Sequence, residues 1–241
     1  MSERSGYEPG TPSWVDLGSP DPDASAKFYA ELFGWGVSEA GPADQTGGYR
    51  MFTLRDKVVA GVGPLQAEGQ PPAWSTYVSV ADAEQAAGAV TEAGGSVLMA
   101  PMDVLDAGRF AFFLDTAGAA FGVWQPARHT GAQLVNEPGA LAWNELQTRD
   151  VEGAKAFYSR VFGWGAADMD MGEMTYTTWN LNGTGVAGVC WNVSIMPLRV
   201  LGIGGGDDAD IVAAIRYAAG LSNASGKLPA RKALEIAAQV A

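Results

Sequence analysis

Twice in this chain a tryptophan stands two residues before a carboxylate: Trp14 before Asp16, and Trp143 before Glu145. Successive side chains of an extended strand alternate, so each pair shares one face. A ring beside an acid suits a flat or cationic organic molecule, the indole giving stacking and cation–π attraction and the carboxylate a countercharge. Asp16 is also a candidate general base if apolar neighbours raise its pKa. The structural alternative makes both tryptophans core residues and both acids backbone-bonded.

Other chemistries lack their residues. The chain has one histidine, His129 in PARHTG, and one cysteine, Cys190. Imidazole and thiolate are the usual ligands of first-row metals, so no metal site of that kind is expected. Cys190 has no base near it in sequence and reads as packing. No G-x-S-x-G elbow occurs. The run GIGGGDD at 202–208 lacks the lysine and hydroxyl of a phosphate loop and carries acids that repel phosphate. It also fails the dinucleotide pattern.

With 27 acids against 15 bases, the 241-residue chain has a formal charge of −12, which excludes nucleic acid and anionic membrane surfaces as expected partners. Apolar residues make up 47% and charged ones 17%, a globular balance. No apolar run reaches the ~18 residues of a membrane span, and MSERSGYEPGTP has no secretory core, so a soluble, cytoplasmic protein is expected.

The elements that position the acids are legible from a repeat. Residues 14–36 align without a gap on 143–165, an offset of 129, with Asp21 on Asp150, Phe28-Tyr29 on Phe157-Tyr158, and Phe33-Gly34-Trp35-Gly36 on Phe162-Gly163-Trp164-Gly165. Each copy reads as a strand, then a helix. In the first, Trp14, Asp16 and Gly18 share a face, Asp21 is the N-cap, Pro22 opens the helix and Asp23 joins its positive first turn. The helix stops near Gly34. Ala24, Phe28 and Leu32, with Tyr29 and Phe33, form a stripe expected to pack on a sheet, as do Ala154, Phe157, Tyr158 and Val161 in the second copy. Hairpins follow at 48–62 and 174–190. A related unit has a strand at 75–80, a helix at 82–93, a strand at 97–99, and two strands in GRFAFFLDTAGAAFGVWQP at 108–126. Residues 127–137 read as a linker.

SPDPDASAKFYAELFGW, VADAEQAAGAVTEAGGSVLMAPMDV and GRFAFFLDTAGAAFGVWQ, in that order, resemble the vicinal oxygen chelate superfamily, which includes glyoxalases, bleomycin-resistance proteins and extradiol dioxygenases. The likeness covers 11–126 and, in part, 138–190, and is nearest to a two-domain actinobacterial glyoxalase-like branch. It implies an α+β fold of tandem βαβββ modules: a complete two-module domain at 11–126, a third module at 138–190, and an atypical tail at 191–241. It also implies that paired modules wrap a cup into which Trp14, Asp16, Ser75, Tyr77, Gly122 and Trp124 face, with Trp143 and Glu145 in the other domain. The ligand positions of metal-using members fall on Trp14, near Ser75 and near Gly122. Indole and glycine cannot coordinate, so no metal and no other cofactor is expected.

The expected function is metal-free binding of a small aromatic or cationic molecule. The alternatives are a lyase or dioxygenase with a divalent ion held by Asp16 or Glu145, and a non-catalytic interaction protein with a filled cup. Residues 182–229 resemble a stretch of subtilisin-like peptidases but carry none of its catalytic blocks, so peptidase activity is excluded. Within that tail a strand at 195–202, a helix at 208–221 and a short amphipathic helix over ARKALEIAAQVA are expected, as a graft or a reduced fourth module. A third module without its partner leaves an uncovered face, so a homodimer through 138–190 is expected.

Overall fold

The computed structural model describes residues 3–67, 69–170 and 175–191, the side chains of Cys190 and Trp191 excepted. The elements expected in 192–241 and the packing of Cys190 lie outside the described residues.

Strand β1 (Pro12–Ser19) leads into helix α1 (Pro22–Phe33), then β2 (Gly36–Glu39), a single-turn helix α2 (Ala43–Thr46), β3 (Arg50–Leu54) and β4 (Lys57–Pro64). The local chemistry is the one expected. Asp21 accepts the Ala24 N–H at 2.9 Å, and Gly34 ends the helix at φ 70°, a left-handed conformation that glycine adopts without a Cβ penalty. The next unit is β5 (Ala73–Ser79), α3 (Ala83–Glu92), β6 (Ser96–Val104), β7 (Gly108–Leu114) and β8 (Ala120–Pro126). The third is β9 (Glu145–Thr148), α4 (Val151–Phe162), β10 (Gly165–Asp170), β11 (Thr175–Leu181) and β12 (Thr184–Trp191). Each unit is βαβββ with its first strand parallel to its last.

The first two units share one sheet of order β2-β3-β4-β1-β5-β8-β7-β6, joined by antiparallel β1 and β5. The third forms a second sheet, β10-β11-β12-β9, with β9 at its edge among the described residues. Strands β2 and β10 went unmarked by apolar alternation because all their residues are exposed.

The two sheets are held through helices. The faces of β7, β8 and α3 pack against α4 and β11 in one core that includes Val90, Phe113, Phe121, Phe157, Tyr158 and Trp179. Tyr158 also donates to buried Asp115 at 3.1 Å, whose other oxygen accepts the N–H groups of Ala117 and Ala119. Two equivalent tryptophans lock the halves reciprocally. The Trp35 indole donates to the Gly139 carbonyl and that of Trp164 to the Gly10 carbonyl, both at 2.7 Å.

The expected α1 stripe needs correction. Tyr29 and Phe33 do turn inward with Ala26, yet Ala24 is exposed, and Phe28 and Leu32 are 43% and 40% exposed. Phe157, the counterpart of Phe28, is 2% exposed because α4 packs on a second unit as well as on its own sheet.

Candidate functional site

The register brings the expected cup residues together. Across the β1–β5 junction Trp14 pairs with Tyr77 and Asp16 with Ser75. Across β5–β8 Tyr77 pairs with Gly122 and Ser79 with Trp124. Directly paired residues share a face, so Trp14, Asp16, Ser75, Tyr77, Gly122 and Trp124 all lie on the side away from α1 and α3.

Asp16 is the polar centre of that face. Its Oδ2 accepts from the hydroxyls of both Tyr49 and Tyr77, at 3.0 Å each, and Tyr49 in turn accepts the Trp14 indole N–H at 3.0 Å. Both phenol bonds end on Oδ2, and the side chain is half-buried beside half-buried Ser75. Burial pushes the carboxyl up to about 6, an effect that the two tyrosine hydrogen bonds oppose. Burial, reinforced by the Asp16 charge, holds both phenols well above their usual value, so they remain donors.

Glycines make this arrangement possible. A Cβ at Gly61 would collide with the Tyr49 hydroxyl, one at Gly63 with the Tyr49 ring, and one at Gly122 with the Tyr77 ring. The tyrosines therefore lie against the bare backbone of β4 and β8.

The floor of the cup is closed. Trp14, Tyr77 and Trp124 are buried at 4%, 9% and 7% exposure, packed with Ala132 and Val135 from the expected linker. That segment crosses the face near the start of β1. The Ala132 N–H donates to the Ser13 carbonyl, and Gln133 bonds Val58 twice. It carries His129 onto the edge of Trp14, centroids 4.5 Å apart, and the Trp124 indole donates to the His129 carbonyl. Burial lowers the imidazole to about 4, so it is neutral at pH 7, and its Nε2 has no hydrogen-bond partner among the described residues. The accessible part of the site is the end with Asp16, Tyr49 and Ser75.

The third unit repeats the relay. The Trp143 indole donates to the Tyr176 hydroxyl at 3.0 Å, which donates to Glu145 at 2.7 Å. Gly188 again leaves room for the phenol. Here the ring is 40% exposed, because within the described residues no module stands beside β9 as β5 stands beside β1.

The sequence reading missed Tyr49, Tyr176 and the approach of His129. The backbone partners that the structural alternative gave Asp16 and Glu145 are tyrosine hydroxyls instead. Glycines inside β4 and β12 were the available signal, since a strand glycine marks a close approach.

The family model of the Glyoxalase/Bleomycin resistance protein/Dioxygenase superfamily matches residues 11–123. Over 174 residues the chain is 45% identical to "Putative glyoxylase CFP32" of Mycobacterium bovis, covering 71% of this chain and 67% of that protein. Over 199 residues it is 40% identical to "Anthracycline biosynthesis protein DnrV" of Streptomyces peucetius, covering 76% and 71%. The chain thus belongs to the glyoxalase/bleomycin resistance/dioxygenase superfamily. Its fold is also that of the Mn(II)-bound glyoxalase from Novosphingobium aromaticivorans, with a TM-score of 0.54 at 15% identity over 75% of this chain. The match spans 61% of that protein, so the likeness reaches about three fifths of its length.

The metal that such relatives imply does not fit the donors present. At the positions that the resemblance gives to ligands, the Trp14 nitrogen has no lone pair and spends its proton on Tyr49, and Gly122 has only the Tyr77 ring above it. Among the described residues no three His, Cys, Asp or Glu side chains converge.

Proposed function

We propose that this protein binds a small planar organic molecule, cationic or hydrogen-bond donating, at Asp16 and without a metal. The observation that carries this reading is the carboxylate itself: two tyrosines fix one of its oxygens, Oδ2, at the half-buried end of a face otherwise closed by Trp14, Tyr77 and Trp124. A relative named for anthracycline biosynthesis supports a polycyclic aromatic ligand class. Fluorescence titration with proflavine, a planar cation, tests it against anthraquinone-2-sulfonate, a planar anion. Proflavine should bind tighter, and Asp16→Asn should weaken it at least tenfold. Equal affinity of wild type and variant refutes the reading.

One observation favours a second reading, metal-independent lyase chemistry with Asp16 as general base. A carboxyl at about 6 is half-ionised at pH 6 and mostly carboxylate at pH 7, a base of pKa near the working pH, which suits proton abstraction. Isomerisation of the methylglyoxal–thiol adduct would then rise with pH through about 6 in chelator-treated protein and vanish in Asp16→Asn. Self-association belongs to the same proposal. Among the described residues β9 is an edge strand, and a second copy laid antiparallel along it would stand beside β9 as β5 stands beside β1.

A further inference from the structure

The Trp143–Tyr176–Glu145 relay differs from its counterpart in one respect. Trp14 is sealed beneath His129, Trp124 and the crossing segment, whereas Trp143 and Glu145 face water. Packing does not explain why the exposed ring is held in place. Trp143 is absent from each described core cluster, yet its indole N–H is fixed to Tyr176. Beneath it lie two glycines of β12. A Cβ at Gly185 would sit 3.7 Å from the indole ring, and one at Gly188 would lie 3.0 Å from its nitrogen. The ring therefore rests against bare backbone and is 40% exposed.

Beside it, Glu145 uses Oε1 to accept from Tyr176 and forms no ion pair among the described residues. A flat electron-rich surface next to an uncompensated carboxylate attracts a flat cation by stacking, cation–π attraction and countercharge together. The net charge of −12 raises the local concentration of such a ligand.

We propose that Trp143 and Glu145 form a second binding site for a planar organic cation, open to solvent in the single chain and independent of Asp16. The two sites share a plan but no residue, so either can fail alone.

Equilibrium dialysis of the full chain against proflavine counts the sites. Wild type should bind two molecules per chain. Trp143→Ala and Glu145→Gln should each remove one by weakening it tenfold or more, while Asp16→Asn removes the other. Trp143→Ala keeps the negative charge, so binding by net charge alone would survive it and overturn the proposal. Two sites retained in Glu145→Gln would also overturn it. One site lost only in Asp16→Asn overturns this proposal and leaves the Asp16 reading standing, and one lost only in Trp143→Ala does the reverse.

Discussion

Replacing Asp16 by asparagine should change how stability depends on pH, in a direction that the site fixes in advance. Asparagine keeps the shape of the side chain and an oxygen able to accept from Tyr49 and Tyr77, but it cannot ionise. In the wild type, burial holds Asp16 at about 6 against an ordinary 3.8, so between those values the folded state binds a proton that the unfolded chain has lost. A raised pKa contributes stability that is complete below 3.8 and is lost as pH rises through 6. At 1.36 kcal/mol per unit, the gap of about two units is worth about 3 kcal/mol, an upper bound because the group is half-buried. Urea unfolding followed by tryptophan fluorescence at pH 4, 5, 6, 7 and 8 reads this directly. The variant should gain on the wild type by up to about 3 kcal/mol between pH 4 and pH 7, then level off. His129, held down at about 4, imposes the opposite trend, stability falling as pH drops from 6.5, but it does so in both proteins and cancels from their difference. A flat difference, or a wild type that gains on the variant with rising pH, refutes the claim that Asp16 is a desolvated carboxylate.

Further consequences can be checked separately. Gly61→Ala puts a methyl group into the Tyr49 hydroxyl and must displace it from Asp16 and Trp14, so it should cost about 3 kcal/mol from overpacking and lost charged hydrogen bonding in a urea titration; Gly34→Ala, with open space around its Cβ, should cost only the strain of its left-handed backbone. Trp164→Phe leaves the Gly10 carbonyl without its indole donor and should lower stability by about 1–3 kcal/mol, whereas Phe28→Ser on the exposed side of α1 should change it by under about 1 kcal/mol. Sedimentation velocity of the 25.1 kDa chain should show a dimer, with amide exchange in β9 slowing as concentration rises; a monomer at every concentration ends the edge-pairing idea.

Much of the architecture follows from local chemistry. The repeat at offset 129 announced the duplicated strand–helix unit, and Asp21, Asp82 and Asp150 cap their helices as aspartates before a first turn do. Alternation puts Trp14 with Asp16, Ser75 with Tyr77 and Gly122 with Trp124 within their own strands, because a two-residue period leaves a side chain only two directions, and the register of β1, β5 and β8 joins the three pairs on one face. Tyr49 and Tyr176 stayed hidden. Their offset is 127 rather than 129, so the gapless alignment passed over them, and their role depends on glycines on a neighbouring strand.

The sequence by itself determined which residues share a face and where each helix starts and stops, since those properties are set within a few residues of backbone. Tertiary structure alone decided what covers each face. Phe28 and Phe157 occupy the same place in the repeat, yet one meets water and the other meets α3 and β8. Trp14 and Trp143 make the same hydrogen bond, yet among the described residues only the first is sealed by a returning segment, the one that carries the sole histidine of the sequence. Burial depends on which distant surfaces arrive, and no periodicity within a strand or helix encodes that.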